Sequence, residues 1–197
     1  MKSKGFTLIE LAVVLAIIAV LAAVLTPVVT NYVDQARVTR AQADTRTIAD
    51  AIRLYQRDTG FYPIYSNRTG AGSDTTATHL LIGPGQAHNG TNHADWTGFT
   101  AASDLTTIVN SNVLGLSTGS QVTAVGRAAY RGPYLGAVDT DPWGNRYTVT
   151  ATNLKRSSTD WAFVISSGAD GELDTDALQG NSTTFAVLGD DVVAIIK

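Results

Sequence analysis

Fifteen uninterrupted apolar residues, Leu11 to Leu25, follow directly on Gly5-Phe6-Thr7-Leu8-Ile9-Glu10, and no other stretch of the chain limits its fold as much. A bilayer-spanning helix needs about 20 mostly apolar residues. Phe6 to Val29 supplies that length, so the N-terminus is expected to be a transmembrane helix. Glu10 is the exception inside it. A carboxylate in hydrocarbon costs roughly 2.5 to 3.5 kcal/mol on insertion scales, and such acids usually face a partner. The preceding peptide, Met1-Lys2-Ser3-Lys4-Gly5, is short and basic, which puts the N-terminus on the cytoplasmic side. A secretory signal carries a small-x-small cleavage site after its apolar region. Here Ala22-Ala23 lies within the run, the run is longer than a signal core, and an acid at its head has the wrong sign.

The helical pattern continues past the membrane run. Pro27 removes a backbone donor and is expected to kink the helix, but residues 28 to 58 contain no Gly and no further Pro. Val29, Val33, Ala36, Ala41, Ile48, Ile52 and Tyr55 recur close to a 3.6 period and mark an apolar stripe. Arg46, Asp50 and Arg53 are spaced for pairing on the other side. Asp58-Thr59-Gly60 is a helix stop. A helix from Phe6 to about Thr59 would measure roughly 80 Å at 1.5 Å per residue. The alternative is two helices hinged at Pro27.

Beyond Gly60 the chain changes character. Residues 66 to 124 are polar and irregular, broken by Gly83-Pro84-Gly85, with His79-Leu80-Leu81-Ile82 and Leu105-Thr106-Thr107-Ile108-Val109 as short candidates for a helical turn or strand. Past Gly132-Pro133-Tyr134-Leu135, alternation at Tyr147, Val149 and Ala151, then at Trp161, Phe163 and Ile165, predicts strands, and Val192 to Ile196 would close the sheet. The expected fold class is therefore α+β: a long N-terminal helix packed against a small antiparallel sheet in a head spanning residues 60 to 197. Asp141-Pro142-Trp143-Gly144-Asn145 is turn chemistry anchored by a large aromatic.

Asp170-Gly171-Glu172-Leu173-Asp174-Thr175-Asp176 sets four carboxylates at alternate positions. Acids so close repel unless solvated or bound to a cation, and Ca2+, which takes six to eight oxygens from flexible carboxylate-rich loops, is the natural occupant. Asp170, Glu172, Asp174 and Asp176 are the candidate ligands, against a plain solvated turn. Asp190-Asp191 is a further acidic pair that nothing in the sequence places nearby.

Gly5-Phe6-Thr7-Leu8-Ile9-Glu10, behind a basic leader and ahead of an apolar helix, resembles the type IV pilin and pseudopilin superfamily over Lys4 to Pro27. The resemblance implies that a dedicated prepilin peptidase cuts between Gly5 and Phe6 and N-methylates Phe6, leaving 1–5 as leader. It also implies that Glu10 serves filament assembly, and the freed amine of a neighbouring Phe6 is the nearest cation for it. Leu54-Tyr55-Gln56 through Gly60-Phe61-Tyr62-Pro63, Gly132-Pro133-Tyr134-Leu135, Asp141 to Tyr147, and Ser167-Gly168-Ala169-Asp170-Gly171 occur in the order seen in the major pseudopilin of type II secretion systems. In that family the loop after Ala-Asp-Gly binds calcium in place of a disulfide. Its usual form carries more Gly, which leaves the choice among the four acids open.

Composition agrees. With the leader removed, 12 basic side chains stand against 17 acidic ones, a net charge of −5, and no clustered Lys and Arg mark a nucleic-acid surface. There is no Cys, so core packing or a metal must stabilise an exported head. His79, His88 and His93, with Asp95, match no established zinc spacing. No nucleophile motif, phosphate loop or dinucleotide fingerprint is present, so an enzyme is not expected. Asn67, Asn89 and Asn181 head Asn-x-Ser/Thr sequons.

The function that the resemblance implies is a structural subunit polymerising into a type II secretion pseudopilus. Its partners would be identical copies, minor pseudopilins, an inner-membrane assembly platform with its ATPase, the prepilin peptidase, and membrane lipid before assembly. The location implied is the bacterial inner membrane, single-pass, with the head outside the cytoplasm, then a periplasmic or extracellular filament. The stretch from 66 to 124 exceeds the family's short variable segment and is expected to decorate the filament surface. It raises, without putting it first, the alternative of a major type IV pilin for adhesion or motility.

Overall fold

The computed structural model describes residues 5–60, 62–63, 79–86, 90–91, 96, 99–100, 131, 133–155, 158–181 and 184–197, and the chain divides into two compact units, Met1–Arg37 and Val38–Lys197. A single helix, α1 (Leu8–Thr59), contributes to both. In the first unit it is long and apolar enough to cross a membrane, and none of that stretch is buried. The helix runs through Pro27. Neighbouring hydroxyls bond helix carbonyls there: Thr26 Oγ1 donates to the Ala22 carbonyl (2.7 Å) and Thr30 Oγ1 to that of Pro27 (3.0 Å).

In the second unit α1 buries Ala41, Thr45, Ile48, Ala49, Ala51, Ile52 and Tyr55. It ends as its sequence dictates: Gly60 adopts φ 82°, a conformation costly for other residues, and its N–H returns to the Gln56 carbonyl at 2.8 Å.

The strands are β1 (His79–Ile82), β2 (Gly90–Thr91), β3 (Phe99–Thr100), β4 (Tyr147–Thr150), β5 (Phe163–Ser166), β6 (Glu172–Leu173) and β7 (Val192–Ile195). The main sheet has the order β3-β1-β4-β5-β7, antiparallel except for β3 on β1. A second sheet pairs β2 with β6 in parallel. The fold is thus α+β, a long apolar N-terminal helix with a small, mainly antiparallel sheet.

Alternation in β4 and β5 suggests one wet face, yet every residue of both strands is buried. Two cores explain this. Tyr147, Val149, Val164, Ala194 and Ile196 pack with Ile48, Ile52 and Tyr55 of α1. On the other side Phe163 and Ile165 pack with Trp96, Leu173 and Ala177, flanked by Trp161, Phe185 and Val193. Each such large apolar side chain contributes about 1.5 to 3 kcal/mol when fully buried.

Residues from the stretch 66–124 supply β1, β2 and β3, and Trp96 enters the second core. Without them β4 would have an unpaired edge and β5 an uncovered apolar face. The candidate at Leu105–Val109 lies outside the described residues.

Polar contacts fix the helix on the sheet. The Tyr147 hydroxyl donates to Asp44 Oδ2 at 2.9 Å, and Arg40 pairs with the same carboxylate at 3.5 Å. Burial, then the hydrogen bond to Asp44, holds the Tyr147 phenol well above its ordinary range. Arg53 donates to the carbonyls of Ile195 (2.7 Å) and Ile196 (3.1 Å), covering part of the β7 edge.

Candidate functional site

Two regions gather the residues singled out by sequence. At the N-terminus, Gly5 and Phe6 precede α1, and Phe6 is 92% exposed. Met1–Lys4 lie outside the described residues. Thr7 is the N-cap. Its N–H and Oγ1 both donate to Glu10 Oε2 at 2.8 Å, and its Oγ1 accepts the Glu10 N–H at 3.3 Å. This is a capping box, Thr at the cap and Glu three residues on, which satisfies orphan donors at the helix start. The sequence signal, Thr7-Leu8-Ile9-Glu10, is plain in retrospect. Glu10 therefore has an intramolecular partner within its own chain, in addition to any partner on a neighbour.

In the head, Asp170, Asp174 and Asp190 each present a carboxylate oxygen within 4.8 Å of the others. Glu172 and Asp176 lie outside this group. Glu172 belongs to β6, and Asp176 Oδ1 accepts the Leu178 N–H at 2.8 Å in a local turn. Asp190 arrives because the segment before β7 folds back on the loop. Asp191 Oδ2 accepts the N–H groups of Asp174 (2.9 Å) and Thr175 (2.6 Å), and the Ala169 N–H donates to Asp190 Oδ2 at 2.5 Å. No local motif announces that return, so the sequence leaves it unread.

Glycines make the cluster possible. Gly189, at φ 61°, lies where a Cβ would overlap the Asp174 carboxylate, and Gly168, at φ 67°, where one would meet Asp190. Asp191 is buried, and its Oδ1 has no partner among the described residues, nor does the buried Ser167 Oγ. Burial pushes the Asp191 carboxyl up to about 6 and the Asp174 charge adds to the rise, while the hydroxyl and N–H of Thr175 and the N–H of Asp174 oppose it.

Asp141 governs the turn at 141–145. Its Oδ1 accepts the N–H groups of Trp143 (3.0 Å) and Asn145 (2.7 Å), and its Oδ2 accepts the Ser166 hydroxyl at 2.8 Å. Gly144 takes φ 95°. The anchor expected of Trp143, which is only half-buried, is supplied by the Asp141 carboxylate. His88, His93, Asp95, Asn67 and Asn89 lie outside the described residues. Asn181 is exposed.

Two family models match parts of the chain. Residues 1–26 match the prokaryotic N-terminal methylation motif, and residues 113–182 match type II secretion system protein G. By these matches the chain is similar to the type IV pilin superfamily, nearest its major pseudopilin. It is 45% identical over 62 residues to the type II secretion system core protein G of Pseudomonas aeruginosa, covering 32% of this chain and 44% of that protein. The chain thus spans under half the length of the curated relative it matches. No solved structure matches. The family is a structural one, not a known enzyme family.

Proposed function

We propose that this chain is a structural subunit that polymerises into a type II secretion pseudopilus driving protein export, with no catalytic role. The observation that carries this is one chain joining a methylation motif, an unburied apolar helix and a protein G head. Processing at Gly5-Phe6 by a prepilin peptidase frees the amine of Phe6. Before assembly α1 is held by inner-membrane lipid. On assembly its apolar face passes from lipid to identical copies, a transfer that costs little because both surroundings are apolar. The Glu10 carboxylate then faces the Phe6 amine of a neighbour, so both charges leave the bilayer paired. Minor pseudopilins and an inner-membrane platform complete the machine, and each added subunit lengthens a periplasmic rod.

Calcium belongs to the same reading. Asp170, Asp174 and Asp190 would hold the ion, and the cradle left by Gly168 and Gly189 together with the hard oxygen donors fits it. Bound calcium neutralises clustered charge in a chain that has no Cys. Asp191 and its N–H donors hold the loop's backbone for it.

Deleting this protein from its own cell tests the function. Secreted proteins should accumulate in the periplasm and return to the medium on re-expression. Normal export together with loss of surface filaments would instead support a major type IV pilin for adhesion or motility.

A further inference from the structure

Trp96, a described residue of the inserted segment, is built into the head. It is buried, its ring meets that of Phe163 edge-on at 6.1 Å, and Leu173 and Ala177 complete its surroundings. Its indole Nε1–H donates to the Thr175 carbonyl at 2.6 Å. A few residues earlier, Gly90 and Thr91 pair with Glu172 and Leu173. The span from Glu172 to Thr175 is therefore held by the insertion through both backbone pairing and a side chain, while Asp191 takes the N–H groups of Asp174 and Thr175. Thr175 directly follows Asp174, and its N–H and C=O are fixed by partners on different segments.

We infer that Trp96, with strand β2, is a positioning device for the Asp170–Asp174–Asp190 cluster. The insertion pre-sets the loop to receive a divalent cation. This rests on the cation reading above. Ordering a mobile loop at the moment of binding lowers affinity, and fixing it beforehand recovers that loss. Trp96 acts through the Thr175 carbonyl and touches no ion. The bond joins two buried residues, which makes it stronger than an exposed one.

The test uses the full chain in detergent, titrated calorimetrically with calcium chloride and melted in calcium and in chelator. Trp96→Phe keeps most of the buried surface and removes the donor. It should weaken calcium binding about 3- to 10-fold, the effect of one buried hydrogen bond, and shrink the rise in Tm that calcium produces. Ile52→Val, in the core on the opposite face of the sheet, should lower Tm equally in calcium and chelator and leave Kd unchanged. Wild-type Kd in Trp96→Phe, or an equal fall in Tm under both conditions, would overturn the proposal. Hydrogen exchange on the wild-type chain gives an independent reading should the variant not fold. Residues 90–96 should gain protection together with 170–175 on adding calcium, and protection confined to 170–175 would also overturn it. A wild-type chain that takes up no calcium at millimolar concentration ends the cation reading itself, and this inference with it, before any variant is made.

Discussion

Tyr147 shows how one side chain couples helix to sheet. Its ring sits in the core between α1 and β4 and its hydroxyl donates to Asp44. The folded chain keeps this phenol protonated at a pH where the unfolded chain releases the proton, near the ordinary tyrosine value of about 10. A pKa raised by folding gives stability that is complete below the unfolded value and declines as pH climbs past it. Tyr147→Phe should cost about 1 kcal/mol at neutral pH, one hydrogen bond's worth. That deficit should narrow, then reverse, between about pH 10 and 11. Melting both proteins from pH 7 to 11 checks this, and a deficit constant over the range would contradict it. Residue-scale roles divide by how local their signals are. Thr7 with Glu10 is a sequence-readable capping box, and Gly60 a readable stop. The turn anchor at 141–145 escaped reading because a buried Asp and an exposed Asp look alike in sequence.

Among elements, α1 and strands β4, β5 and β7 follow from periodicity, since burial against a single partner leaves a 3.6 or 2.0 pattern. What periodicity hides is the second covered face of the sheet. Phe163 and Ile165 face Trp96 and Phe185 from segments that carry no repeat of their own. The acidic loop was visible as a run of carboxylates, but its geometry depends on Asp190 and on two glycines 21 residues apart at φ above 60°. Calcium in hundredfold excess over Kd should stabilise the head by about 2.7 kcal/mol. The full chain in detergent should thus melt higher in millimolar calcium than in chelator. Gly189→Ala, which drives a methyl group into the Asp174 carboxylate, should abolish that difference. An undiminished calcium response in Gly189→Ala would show that Asp174 is not a ligand.

At the scale of the whole molecule, the chain joins an unburied apolar helix that lipid or other copies must cover to a head that folds around its own two cores. Processing, charge pairing and assembly should be separable. Glu10→Ala should insert and be cleaved normally but fail to assemble, while Gly5→Val should remain uncut and unassembled. Normal filament yield from Glu10→Ala would contradict the pairing role. The most direct test of the central claim is intact-mass and N-terminal peptide mass spectrometry of filaments purified from cells making the wild-type chain. Subunits of this chain should begin at Phe6 and carry one added methyl group. Filaments built from subunits that retain Met1, or filaments that lack this chain altogether, would contradict it.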